Sequence, residues 1–164
     1  MSFPNKVGRL AAALFIVSTP ISFLGTTAAQ AGVPGSTSAI NVDEHGVALR
    51  GYDPVAYFDP GKPTHGVAEI FTSYDGARYL FANEAHRKAF LQDPKKYIPQ
   101  FGGFCALGTA EGEKVDVDPE TGQVVNGKLY LNYNAQALAE FNKDRSGTIT
   151  HAQQNWPAVQ KKAL

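Results

Sequence analysis

The chain has 164 residues, with 15 basic and 15 acidic side chains, four histidines and a single cysteine, Cys105. This balanced charge excludes the strongly basic surface with which proteins bind nucleic acids or anionic lipids, so we expect no nucleic-acid partner. One cysteine cannot form an intrachain disulfide, so the hydrophobic core alone must stabilise the fold.

The first 31 residues have the organisation of a secretory signal peptide. Its features, in chain order, are the bases Lys6 and Arg9, an interrupted apolar run over residues 10–24, and the small residues Ala29 and Ala31 at the predicted cleavage site. A membrane anchor or a buried helix is the alternative, but the apolar run is short and no charged stop-transfer flank follows it. We therefore expect a periplasmic or secreted protein.

Removal of residues 1–31 leaves 133 residues with 13 basic and 15 acidic side chains. The net charge of this mature chain is about −2, and its length suits one domain. Residues 32–40 hold few apolar groups and are predicted to form a flexible leader before a domain over residues 41–164. No membrane span is expected after signal removal, and the sequence gives no prediction of the oligomeric state.

The local patterns predict a series of short elements along the mature chain. In chain order these are a helical turn over 52–58 capped by Asp53, a hairpin of 68–74 and 77–81, helices over 84–92 and 94–97, a strand over 114–117, a turn over 118–122, a hairpin of 123–125 and 128–133, a helix to about Asn142, and a last helix from near Thr150 that Pro157 perturbs. Asp75-Gly76 and Asn126-Gly127 suit type I′ hairpin turns. Strand pairs mixed with short helices predict a small single α+β domain with two β-hairpins.

Two side chains are the main candidates for chemistry. Cys105 follows Gly102-Gly103, where the backbone can approach another group closely, so its thiol is either a ligand or reactive group or a packed core thiol. His86 shares one side of its predicted helix with Ala82 and Phe90, which turns the imidazole inward. There it would ligate a metal ion or hydrogen-bond a backbone carbonyl.

Six segments between residues 46 and 157 carry motifs that occur together and in order. They are Gly51–Phe58 (GYDPVAYF), Tyr74–Phe81 (YDGARYLF), Phe90 with Asp93–Tyr97 (DPKKY), Pro99–Ala106 (PQFGGFCA), Gly127–Tyr133 (GKLYLNY) and Asn155–Pro157 (NWP). In these motifs the chain resembles the YHS-domain family, and it is most similar to the exported proteobacterial branch of that family.

The resemblance implies metal binding, because the compact YHS modules of copper-pump and hydroxylase proteins are similar to small metal-binding domains. At the positions where those modules typically carry cysteines, this chain has Ala56, Ala82 and His86. The thiol of this branch lies at Cys105 instead. The implied site is a thiolate–imidazole pair of Cys105 and His86, which suits a copper or zinc ion. A third ligand for a closed site would come from Tyr52, Asp53 or His65.

Three functions follow as alternatives. The first is an exported binding module that handles a transition metal ion, copper before zinc, without catalysis. The second is a domain that binds a small molecule or a protein partner and in which Cys105 is structural. The third is a thiol-dependent enzyme, for which the sequence offers no group that would orient a histidine beside the thiol. The geometry of Cys105 and His86 separates these alternatives.

Overall fold

A computed structural model describes Met1, residues 32–59 and residues 61–164. The predicted signal peptide lies, apart from Met1, outside the described residues. The described part of the chain forms two separate two-stranded antiparallel sheets and five α-helices, which confirms the prediction of a small α+β domain. None of its helices is both long and apolar enough to cross a membrane.

The first sheet is the predicted hairpin of β1 (Val67–Tyr74) and β2 (Ala77–Phe81). Asp75 and Gly76 at its turn have φ angles of 50° and 81°, as a type I′ turn requires. The strands pair in register from Phe71 to the turn, and a bulge separates this ladder from Val67. The alternating side chains of β2 point into the core and bury one face of the hairpin.

The second sheet pairs β3 (Asp118–Val125) with β4 (Lys128–Asn132) around the predicted Asn126-Gly127 turn. The predicted strand over 114–117 and turn over 118–122 are wrong, because β3 begins at Asp118 and contains the turn-forming residues in a bulge. At this bulge the Thr121 hydroxyl accepts a hydrogen bond from the Asn132 N–H at 2.8 Å and donates one to the Asn132 carbonyl at 2.7 Å. A side chain thus replaces the missing ladder bonds, which the local sequence does not reveal.

The helices are α1 (Glu84–Gln92), α2 (Pro94–Tyr97), α3 (Ala106–Ala110), α4 (Ala135–Lys143) and α5 (Arg145–Val159). α1, α2 and α4 lie where the sequence predicts them, and Asn83 and Asn134 cap α1 and α4 through their side chains. The predicted start of the last helix is wrong by about five residues. Asp144 begins α5 earlier by accepting the Gly147 N–H at 2.9 Å, and Pro157 lies inside the last turns without ending the helix.

Aromatic rings dominate the main core. Phe90 of α1 is fully buried and contacts Tyr79 and Phe81 of β2, with ring centroids 5.1 and 5.2 Å apart. Burying each such ring stabilises the fold by about 1.5–3 kcal/mol. A second cluster, built around Phe101, Tyr130 and Phe141, packs beneath α5. The first cluster fixes α1 against the hairpin and so positions the candidate site.

The segment at residues 35–36 lies beside the C-terminus. The Gly35 N–H donates to the Leu164 carbonyl at 2.9 Å, and the Leu164 N–H donates to the Ser36 carbonyl at 3.0 Å. Beside them the buried Lys114 ammonium donates to the carbonyls of Ser38 at 2.6 Å and Lys162 at 2.9 Å. Residues of the predicted leader therefore make hydrogen bonds to the C-terminal end of the domain.

Candidate functional site

Asp53 is the most constrained polar residue of the site. Its side chain is fully buried. Oδ1 accepts the Val55 N–H at 2.8 Å, which confirms the predicted cap of the turn that follows. Oδ2 accepts the Ala82 N–H at 2.8 Å and lies 2.6 Å from Nδ1 of His86. These bonds compensate the cost of burying a carboxylate and hold it in one orientation.

The His86 imidazole is oriented by this carboxylate. Because a carboxylate only accepts hydrogen bonds, Nδ1 of His86 carries the proton that the pair shares. The second ring nitrogen, Nε2, is then the one with a free lone pair in the neutral ring. The His86 side chain remains 22% exposed, so this nitrogen belongs to a partly accessible ring. A carboxylate that holds Nδ1 is the arrangement that orients metal-binding and proton-transferring histidines.

Tyr52 and His65 form a second pair next to the first. Their rings lie 3.9 Å apart between centroids at an angle of 40°, and their backbones form an isolated antiparallel bridge. The Tyr52 hydroxyl donates to Oε1 of Glu120 at 2.8 Å. Burial and the Glu120 carboxylate raise the pKa of Tyr52 to about 12. Tyr52 is therefore a neutral hydrogen-bond donor at physiological pH rather than a phenolate ligand.

Cys105 has a structural position at the start of α3. Its side chain is only 2% exposed, and its sulfur accepts the Gly108 N–H at 3.3 Å as the N-cap of the helix. The thiol faces Oδ1 of the buried Asn132 at 3.8 Å. Burial raises the pKa of the Cys105 thiol, although the backbone N–H groups that face the sulfur oppose this effect. The thiol is thus protonated at neutral pH.

The structure brings four of the five predicted site residues together. Asp53 and His86 form one pair, Tyr52 and His65 the other, and the peptide between residues 52 and 53 joins the pairs. Among the polar contacts of the described residues, none links the sulfur of Cys105 to any of these four. Within the same part of the chain, no three His, Cys, Asp or Glu side chains lie close enough to hold a metal ion. The described residues alone therefore do not form a closed metal site.

Two polar partners were missed at the sequence level. The sequence predicts Glu120 in a turn, whereas the bulged part of β3 brings its carboxylate to Tyr52. The sequence predicts Asn132 in a strand and indicates no role for it, whereas its side chain is fully buried and its Oδ1 accepts from the Leu107 N–H at 3.3 Å. The one available signal was the polar residue itself within an otherwise apolar strand, since buried amides are retained for their hydrogen bonds.

A cavity of about 220 Å³ lies on another part of the molecule and was also not predicted. Its wall includes Ile40, Asp75, Tyr79, Ile98, Trp156 and Gln160. Tyr79 is 3% exposed, and its hydroxyl makes no hydrogen bond to the described residues. Burial, followed by the negative charge of Asp75, raises the pKa of Tyr79 well above its ordinary value. The cavity thus combines a carboxylate, a phenol and an indole.

Comparison with known proteins adds no assignment. No protein-family model matches the chain, and neither a curated protein nor a solved structure matches it at a significant level. The structure defines the fold class: the protein is a small α+β domain. Near its surface a carboxylate orients a partly exposed histidine. The resemblance to the YHS-domain family stays a prediction from the sequence motifs.

Proposed function

We propose that the protein is an exported binding module that handles a transition metal ion, copper before zinc, through the imidazole of His86. The carrying observation is the 2.6 Å contact between the buried Asp53 carboxylate and Nδ1 of His86. This contact selects the ring tautomer whose Nε2 can ligate a metal, and the carboxylate holds the ring in one orientation. Imidazole is a good ligand for both copper and zinc.

The donor set favours a cargo ion over a permanently bound one. A structural zinc site uses four protein ligands and a catalytic one three, whereas the described residues offer no group of three. An ion on one oriented imidazole keeps open positions, which a small ligand or a partner protein can fill. Binding would then be weak and exchangeable, as delivery between proteins requires.

Cys105 has a secondary place in this proposal. Its sulfur already accepts a backbone N–H, and the raised pKa disfavours the thiolate that a copper or zinc ion would bind. The same two facts count against a thiol-dependent enzyme. We therefore assign Cys105 to the folding of α3 and expect metal binding to depend on His86.

The test is a titration of the mature protein with Cu(I) under reducing conditions and with Zn(II). We expect His86→Gln to abolish specific metal binding, since glutamine keeps an N–H for Asp53 but has no imidazole lone pair. His151→Gln, at an exposed histidine, is the matched control and should bind like the wild type. Circular dichroism checks that both variants are folded.

The outcomes separate the alternatives. Equal affinity of His86→Gln and the wild type would refute the proposal. Loss of binding in Cys105→Ala, with His86→Gln unaffected, would instead place the metal on the thiol. No binding by any form would leave the domain without a metal function and favour its alternative role in binding a small molecule or a protein.

The cavity beside Tyr79 supports that alternative, the binding of a small organic molecule. The Asp75 carboxylate and the Trp156 indole at its wall suit an organic cation, which both groups attract. Because Trp156 is the chain's single tryptophan, its fluorescence reports occupancy directly. We expect tetramethylammonium to change this fluorescence in the wild type and not in Asp75→Asn, while neutral tert-butanol has no effect. An equal response to both compounds, or none, would exclude a cation site.

A further inference from the structure

Gly32, the residue after the predicted cleavage site, packs against the folded domain. It is buried, and its φ angle is 82°. A Cβ atom built on it would meet three neighbours: Cδ2 of Leu164 at 2.5 Å, Oδ1 of Asn41 at 3.2 Å and Cγ of Asp116 at 3.3 Å. Only glycine fits there without displacing these atoms. The backbone of residue 32 therefore lies directly beside an amide oxygen and a carboxylate.

Within residues 32–59 and 61–164, no group donates a hydrogen bond to the amide oxygen of Asn41 beside Gly32. Asn41 is 7% exposed, and its Nδ2 donates to the Gly103 carbonyl at 3.2 Å and to Oδ1 of Asp116 at 2.8 Å. These bonds fix the amide so that its Oδ1 is buried with no partner among the described residues. A buried acceptor without a donor is costly, so its presence calls for a group that supplies one.

Asp116 supplies negative charge at the same place. Its Oδ1 also accepts the Val117 N–H at 2.7 Å, and its Oδ2 accepts from Nη2 of Arg50 at 3.0 Å. Arg50 is the cation that faces this carboxylate, and its side chain is 37% exposed. Oδ1 already accepts from two donors, whereas Oδ2 has room for a second donor. Together, Asn41 Oδ1 and the Asp116 carboxylate form a cradle for a small cation with several N–H donors.

We propose that this cradle binds the amino terminus of the mature protein, the ammonium group of Gly32. Export processing would hydrolyse the Ala31–Gly32 peptide bond. Water adds its oxygen to the Ala31 carbonyl carbon, which leaves as a carboxylate, and the Gly32 nitrogen takes up the protons and becomes an ammonium. The ammonium donates to Asn41 Oδ1 and pairs with Asp116. This inference rests on the signal-peptide prediction and is independent of the metal proposal.

The consequence is that processing completes the fold. In the precursor the Gly32 nitrogen is a neutral amide with one N–H, whereas the processed terminus has a positive charge and three donors. The segment held by this contact continues into the hydrogen bonds between Gly35, Ser36 and Leu164. Cleavage therefore stabilises the closure of the chain ends, and the precursor, which lacks the ammonium group at Gly32, stays less stable.

The first test compares two purified proteins, one beginning at Gly32 and one beginning at Ala31. We expect the extra residue to reduce the ratio of folded to unfolded protein about tenfold, because a hydrogen-bonded ion pair at a partly buried site is lost. The measurement is urea denaturation at pH 7. Acetylation of the Gly32 terminus removes the charge and leaves one N–H donor, while adding fewer atoms than an alanine residue, and should have a similar effect.

A double-mutant cycle isolates the contact. In Asp116→Asn the penalty for the Ala31 extension should largely disappear, whereas in Glu69→Gln, at an exposed strand residue, it should remain. Equal stability of the Gly32 and Ala31 forms would overturn the inference. So would mass spectrometry of the exported protein that shows a terminus other than Gly32. Neither result depends on whether His86 binds a metal ion.

Discussion

Asp53 and Cys105 show two ways in which a single buried polar side chain stabilises this domain. Asp53 accepts two backbone N–H groups and orients the His86 ring, so one carboxylate joins the helical turn, the end of β2 and α1. Cys105 caps α3 through its sulfur and faces the amide of Asn132. The first arrangement leaves a nitrogen lone pair available to a ligand. The second uses the sulfur entirely within the fold.

A structural Cys105 makes a specific prediction for stability. Cys105→Ala should lower the free energy of unfolding by about 1–2 kcal/mol, because the helix cap and some core volume are lost. Cys105→Ser should cost less, since its hydroxyl can still accept the Gly108 N–H. Urea denaturation of both variants measures the difference. A serine variant less stable than the alanine variant would argue against capping as the role of the sulfur.

The separate elements follow local rules with one exception. Both hairpins turn at residue pairs with positive φ angles, and the Asn and Asp residues before α1, α4 and α5 act as side-chain caps. The exception is β3, which contains Pro119 and Gly122 and pairs with β4 through the Thr121 side chain before its regular ladder begins. The Tyr57 ring packs directly against Gly122. A Cβ atom at position 122 would lie 2.2 Å from this ring, so a larger residue would displace it.

The second hairpin turn offers a clean measurement of backbone conformation. Gly127 has a φ angle of 73°, and a Cβ atom added there would touch nothing within 4 Å. Gly127→Ala should therefore lower the free energy of unfolding by about 1–2 kcal/mol through the cost of the left-handed conformation alone. Asn126→Gly, where glycine also tolerates the positive φ, should change it much less. Thermal unfolding measures the stability of both variants. Equal losses of stability in the two variants would contradict the prediction.

At the scale of the whole molecule, the chain closes by contacts between distant segments. Short parallel bridges join Pro99 to Leu129 and Cys105 to Leu131, so the segment before α3 attaches to β4. Lys114 holds the carbonyls of Ser38 and Lys162 and so ties the two ends of the domain together. Tyrosines buried in the assembled fold make its stability decrease at high pH.

Burial raises the pKa of Tyr57 and of Tyr79 above the ordinary value of 10.0. As the pH rises from about 10 to 12, the unfolded chain releases phenolic protons that the folded chain retains, so the free energy of unfolding should fall. Tyr57→Phe should make this decline shallower. Tyr133→Phe, at a tyrosine that is 55% exposed, is the control. Urea denaturation across this range checks the sign, and a flat profile would contradict it.

The sequence predicts the local parts of the candidate site but not the contacts between distant residues. The cap at Asp53 and the helix that carries His86 follow from residues within a few positions of each other, and the sequence predicted both. The contact between these two residues spans 33 positions, and the contact of Tyr52 with Glu120 spans 68. No short pattern encodes such pairs, because they depend on how β2 and β3 pack.

By itself, the sequence determined the class of fold, both hairpin turns and the starts of most helices, since each depends on turn and capping chemistry within about four residues. Tertiary packing decided the rest. It placed the sulfur of Cys105 against backbone amides and Asn132, away from any contact with His86, and it set Asn41 and Asp116 around Gly32. Those outcomes depend on which distant surfaces meet, because the burial of apolar rings, and not the local chain, selects the arrangement of the core.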